Sequence, residues 1–327
     1  MTVSDPDRTE VDWPTIPDVA WQRPIGEPCP DVGRPRVHVP MIDDGEWAGV
    51  PIGGLGTGSI GRTFRGDFAR WHLDVGHHRF EPVLADGFSL FVGHADGSSQ
   101  ATVLAVRPPV DGLEAWDWDL PVGGGTYHAL FPRAWQTFDA SVVGVDVTGE
   151  QLSPVIAGDL ERSALPVGVF EWWIENRDAG PVTVGLLATF ADPPGGPVDA
   201  ATPRPHDVRR DGAVTAVVFG DPGDAAPTAL RGTLALAALG DGWDLTTAAA
   251  FDPVSDVEVW NDFATDGRLT EASPARADSP TAGPAGAAIA ATRTLAAGER
   301  ASIRFALTWD LPMVEFGRGR RWWKRYT

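Results

Sequence analysis

Thirty-eight glycines and 29 prolines, spread evenly over 327 residues, constrain this chain more than any other feature. Inside a helix, glycine costs about 1 kcal/mol and proline about 3 kcal/mol relative to alanine. No long amphipathic helix therefore finds room before the C-terminus. The segments between the breaks are short, apolar and of period two. In Ala301 to Leu311, the residues Ala301, Ile303, Phe305, Leu307, Trp309 and Leu311 share one face, opposite Ser302, Arg304, Thr308 and Asp310. That alternation predicts a half-buried strand. Ser141 to Val147 repeats it, with Val143, Val145 and Val147 inward. Leu165 to Asn176, Pro181 to Ala191, Ala213 to Gly220, Gly232 to Gly240 and Trp243 to Phe251 are further runs rich in Val, Phe and Trp. Many short strands between turn residues predict an all-β chain, an antiparallel sandwich or barrel.

Composition narrows the function. The chain is 43% hydrophobic, with 14 Trp and 14 Phe, enough for a substantial core. With 26 basic against 45 acidic side chains, its net charge of −19 excludes nucleic-acid and anionic-membrane partners, which need clustered cations. All the basic residues but one are Arg. Before Lys324 there is no lysine for a phosphate-binding loop, a kinase site or a Schiff base. A lone cysteine, Cys29, removes internal disulfides and multi-cysteine zinc sites. The seven histidines show no metal-binding spacing, so neither a metal nor a cofactor is expected, and His77-His78 reads as a surface or turn pair. No apolar run is long enough to span a membrane and no leader is evident, which points to a cytoplasmic protein.

Three zones are expected. Residues 1–40, with eight prolines, form an extended arm lying on a surface; 41–312 form the β domain; 313–327 form a basic linker. That last zone gathers Arg318, Arg320, Arg321 and Arg325 around Lys324 and ends on a helix-compatible stretch. It reads either as a basic tail folded against an acidic body or as the start of a connector into a further domain. Ala191 to Asp207 and Ala272 to Gly286 read as flexible insertions.

The densest motif is Gly49 to His72. It contains Gly56-x-Gly58-x-x-Gly61, but Arg-Thr-Phe-Arg-Gly-Asp follows where a dinucleotide fingerprint needs a helix. A nucleophile elbow fails because Thr57, not glycine, stands two before Ser59. The glycines allow backbone to approach backbone, and the segment presents Arg62, Arg65, Asp67, Arg70, Trp71 and His72. Guanidinium forks suit carboxylates or hydroxyl-rich ligands. The competing reading is architectural: the glycines permit a crossing of sheets while the Arg–Asp cluster locks an interface. Trp116 and Trp118, if on one strand face, form a ledge for stacking sugar rings; the competing reading is core packing. Asp117 and Asp119 invite assignment as general acid and base, but nothing in the sequence builds a cleft around them, and they are left unassigned.

Pro51 to Trp71 resembles the N-terminal domain of glycoside hydrolase family 116, the family of non-lysosomal glucosylceramidase and bile-acid β-glucosidase. Three further blocks agree in the same order: Trp116 to Leu120 with Tyr127 to Trp135, Ser153 to Ile156 with Ala164 to Trp172, and Phe305 to Pro312 into Gly317 to Tyr326. The resemblance implies a two-sheet antiparallel β-sandwich of supersandwich type, then a short linker helix toward an (α/α)6 catalytic domain. In the family that domain carries a Glu nucleophile and an Asp acid/base acting on β-glucosides, glucosylceramide or xylosides. It also implies that no catalytic residue lies in this chain. Arg62, Arg65, Asp67, Arg70, Trp71 and His72 are the candidate domain-interface or substrate-rim residues, expected on the face that meets the catalytic domain. A stand-alone carbohydrate-binding or interaction module is the alternative reading.

Overall fold

The computed structural model describes residues 11–28, 49–74, 77–192, 204–223, 231–271, 276–277, 285–316 and 319–324. The first strands are β1 (Trp21–Pro24), β2 (Ser59–Arg62), β3 (Phe68–Asp74), β4 (His77–Phe80), β5 (Gly87–His94) and β6 (Ser99–Val103). Then come β7 (Thr126–Leu130), β8 (Arg133–Phe138), α1 (Ala140–Val143), β9 (Asp146–Leu152), α2 (Leu160–Ser163), β10 (Val167–Glu175) and β11 (Val182–Asp192). After these follow β12 (His206–Asp211), β13 (Val214–Phe219), β14 (Thr233–Leu239), β15 (Asp244–Phe251) and α3 (Glu258–Asp266). The last are β16 (Arg276–Ala277), β17 (Ala285–Leu295), β18 (Arg300–Asp310), β19 (Met313–Phe316) and β20 (Arg320–Trp323).

Two antiparallel sheets face each other. The larger has ten strands in the order β1-β7-β8-β9-β10-β18-β14-β13-β12-β16, and the smaller has five, β15-β17-β11-β5-β6. Their inner faces meet in one core, with Phe170, Trp172 and Phe305 from the large sheet against Phe88 and Phe190 from the small one. The period-two reading of β18 holds: Ala301 through Trp309 on the odd positions are buried, and Arg304 and Asp310 are exposed. The all-β sandwich is thus the observed architecture.

Four local differences stand out. Val143, Val145 and Val147 are buried as expected, but Ala140–Val143 is a helical turn capped by Asp139, whose side chain accepts from the backbone of Ser141. Val143 thus reaches the core from a turn and only Val147 from a strand. The C-terminal stretch expected as a linker helix is instead the antiparallel hairpin β19–β20, pairing Met313 with Trp323 and Phe316 with Arg320. Gly319, at φ +79°, turns the chain where a helix would need φ negative throughout. In the N-terminal segment Trp21–Pro24 is an edge strand of the large sheet, Trp21 opposite Ala129, and the Arg300 guanidinium lies 5.7 Å from the Trp13 ring. Finally, α3 packs Val259, Trp260 and Phe263 on the outer face of the five-stranded sheet. The expected insertions lie largely outside the described residues.

Candidate functional site

The Gly49–His72 segment forms the small sheet β2-β3-β4 and the loop leading into it. Its turn, Thr63 to Gly66, is plugged into the interior. Thr63 N donates to Asp67 O (2.9 Å) and Gly66 N to Thr63 O (3.1 Å). Arg23 donates to the Thr63 carbonyl (3.1 Å) and the Phe64 carbonyl (2.6 Å). Arg62 donates through Nη1 to Gly66 O (2.6 Å) and through Nε to Gln151 Oε1 (2.9 Å). Its guanidinium carbon lies 4.3 Å from the centre of the Phe68 ring. Burial pulls Arg62 down to about 10, against the raising influence of Tyr127 and Asp67. The Tyr127 hydroxyl accepts from Val50 N (2.7 Å), and burial lifts it to about 12.

The six residues singled out in this segment do not share one face. Arg62, Asp67 and Trp71 are buried; Arg65, Arg70 and His72 are half-buried. Along β3 the alternation explains this: Trp71 and Leu73 point into the core while Arg70 and His72 point out. His72 stacks on His78 at 3.8 Å between centroids, with Phe80 edge-on at 5.6 Å. Asp67 accepts from the Thr63 hydroxyl, and burial raises its carboxyl above the ordinary range despite Arg65 and Arg62 nearby.

Trp116 and Trp118 lie outside any strand and form no open ledge. Trp116, only 4% exposed, stacks on Trp260 of α3 at 5.2 Å and donates to Asp256 O (3.0 Å). Trp118 donates to Leu113 O (3.1 Å) under the Arg107 guanidinium, 5.3 Å away. The reason is α3, a helix not visible in the glycine and proline pattern, which covers one face of Trp116. Asp117 and Asp119 stay on the surface, joined by the Asp119 N–H to Asp117 Oδ1 bond (3.1 Å).

One end of the sandwich has an apolar platform. Gly53 N donates to Ser153 Oγ (3.1 Å), which donates to Pro51 O (2.9 Å). Leu55 N donates to Ser163 O (2.7 Å), and Ser163 Oγ accepts from Ile156 N (2.8 Å). These bonds bind loop 51–58 to loop 153–165. A side chain on Gly54 would run into the backbone of Ser163 to Leu165. The two loops hold Leu55, Ile156, Leu160 and Leu165 about half exposed. Trp309, buried beneath, donates its Nε1 to Thr57 O (2.9 Å). The C-terminal hairpin returns to the same end: buried Lys324 donates to Leu73 O (3.3 Å), and Leu73 packs against Gly58. Trp322 and Trp323 stand 58% and 69% exposed on it, beside exposed Arg320 and Arg321.

Sequence reading missed Arg23, Ser153, Ser163 and Asp86, each buried and polar. Arg23 lay in the presumed arm, and the serines follow no spacing rule because their partners are about a hundred residues away or across a loop. Among the described residues no group of three or more His, Cys, Asp or Glu side chains is gathered as for a metal ion, and no helix is long and apolar enough to cross a membrane.

The polar plug, the laced loops and the hairpin are built from the same blocks that carried the resemblance. A family model described as beta-glucosidase 2, glycosyl-hydrolase family 116 N-term matches residues 49–327, so the chain belongs to glycosyl-hydrolase family 116 as its N-terminal domain.

Proposed function

We propose that this chain is the β-sandwich part of a retaining β-glucosidase, without catalytic carboxylates of its own, and that it docks an (α/α)6 catalytic domain through the platform end. One observation carries the reading. Leu55, Ile156, Leu160 and Leu165 are held exposed on loops whose backbone is hydrogen-bonded together, and Trp322 and Trp323 stand exposed on the C-terminal hairpin. Exposed apolar side chains gathered on loops that are bonded to each other are the kind of surface that marks an interaction site. Trp322, Trp323, Arg320 and Arg321 supply the amphipathic anchors that interfaces favour. Arg70 and His72, half-exposed on the small sheet, belong to the rim of the same surface, whereas Arg62, Asp67 and Trp71 hold the scaffold behind it.

The substrate class follows the family: β-linked glucosides, glycolipids such as glucosylceramide among them. The sandwich contributes binding and orientation of the catalytic domain, and the acid/base and nucleophile chemistry belongs to that domain. The test is hydrolysis of an aryl β-glucoside by the purified chain alone and after mixing with a family (α/α)6 domain. The chain alone should be inactive and should co-elute with the helical domain as an active complex. Hydrolysis by the chain alone, or no complex at tens of micromolar, refutes the reading. Burial of Trp116 speaks against a carbohydrate-binding module that stacks sugars on it; saturable quenching of tryptophan fluorescence by cellobiose would favour that alternative.

A further inference from the structure

The C-terminal hairpin is rooted in the sandwich, but its second strand is not covered by it. At the root, Lys324 N donates to Pro312 O (2.8 Å), the Lys324 ammonium donates to Leu73 O (3.3 Å), and Val314 is 8% exposed. Leu73 in turn lies against Gly58, at the end of the loop that carries Leu55, so the root adjoins the platform. All four residues of β20, Arg320 to Trp323, are exposed. Successive residues of a strand point to opposite faces. Trp322, paired with Val314, and Trp323, paired with Met313, therefore stand on different faces of the ribbon, 58% and 69% exposed. Neither face of β20 lies flat on the body.

For the chain alone this arrangement is unfavourable. A two-stranded ribbon is marginally stable in water, and an uncovered edge strand bearing aromatic side chains invites a partner. Each tryptophan offers roughly 150–250 Å² for burial. A flat partner surface takes up one of them only and leaves the other in water on the far face. Burying both needs a cleft that closes on the ribbon from two sides.

Charge says what lines that cleft. Residues two apart on a strand share a face, so Arg320 accompanies Trp322 and Arg321 accompanies Trp323. Arg321 donates to Glu315 of the same ribbon (3.2 Å). The described residues of the ribbon thus hold two arginines against one carboxylate, in a chain whose net charge is −19. Complementary walls carry apolar side chains for the indoles and, at the mouth, carboxylates for the guanidinium forks.

We infer that β19–β20 is a tongue, gripped on both faces by an acidic-mouthed cleft of the (α/α)6 domain. This rests on the docking proposed above and adds the shape and chemistry of the partner at this point.

The test uses the whole chain and a family (α/α)6 domain in titration calorimetry. Trp322→Ala and Trp323→Ala, made singly, should each weaken assembly at least about tenfold, while Tm of the chain alone stays close to wild type because both side chains are exposed. Fluorine NMR of the 5-fluorotryptophan-labelled chain, assigned with Trp322→Phe and Trp323→Phe, should show both indoles losing solvent contact in the complex. Arg320→Glu with Arg321→Glu should also weaken assembly, by a factor that shrinks as salt is raised. If one tryptophan carries the whole effect, or neither carries any, while the wild-type complex still forms, the tongue is overturned and the docking reading stands. Equal affinity of the charge-reversed and wild-type chains refutes the acidic mouth. Absence of a wild-type complex refutes the docking, and the tongue with it.

Discussion

Single residues show how the Gly-rich motif turned from a candidate ligand site into a scaffold. Arg62 is enclosed by Phe68, Gly66 and Gln151, so Arg62→Ala should remove a buried charge and strand Gln151 Oε1 and the Gly66 carbonyl, costing about 3–5 kcal/mol in denaturant unfolding. Trp116→Ala should cost about 3–5 kcal/mol too, through the cavity left against Trp260. If Trp116 were a sugar-stacking ledge, that change would instead leave stability nearly untouched. The pH behaviour of Asp67 has a definite sign. Burial raises its folded-state value above the unfolded one, so the group disfavours the folded state once ionised. Its contribution is most favourable below the ordinary carboxylate range and declines as pH rises through the raised value. Comparing wild type with Asp67→Asn by unfolding free energy against pH should show this slope in the wild type only. Chemistry at this scale was half legible: the sequence displayed the charges of Arg62 and Asp67, but which side of β3 each faced depended on register.

Elements divide by how much of their own stability is local. The alternation in β18 is fixed by sequence because a one-residue slip would put Phe305, Leu307 and Trp309 in water. By contrast Ala140–Val143 is a helical turn although its valines alternate, since the Asp139 cap and left-handed Gly144 close the chain locally. The C-terminal hairpin has a similar history: Trp-Trp-Lys-Arg is compatible with a helix, but pairing with Met313–Phe316 satisfies the backbone first. Helix α3 depends on a close approach, Gly185 of β11 lying against Gly267 at the helix end, where an added Cβ would come within 2.8 Å of backbone. Gly185→Ala should therefore push α3 outward, costing about 1–3 kcal/mol. Hydrogen exchange should show faster exchange in residues 258–267 while β11 and β17 stay protected.

At the scale of the molecule, the apolar platform and the exposed tryptophans set an expectation that stability measurements alone would miss. Leu55→Asp with Leu160→Asp changes side chains about half exposed, so Tm should shift little, yet assembly with an (α/α)6 domain should weaken at least tenfold in sedimentation or titration calorimetry. An equal loss of Tm and binding would mean that the loops, not the interface, had failed. By itself the sequence determined the all-β class, most strand positions and the family, because period-two burial and turn residues act over a few positions. Tertiary structure decided that Trp116 is covered, that Arg23 and Arg62 both donate to the turn after β2, and that loops a hundred residues apart are bonded together. Those outcomes rest on long-range packing, where the partner of each group is chosen by how the sheets stack rather than by its neighbours along the chain.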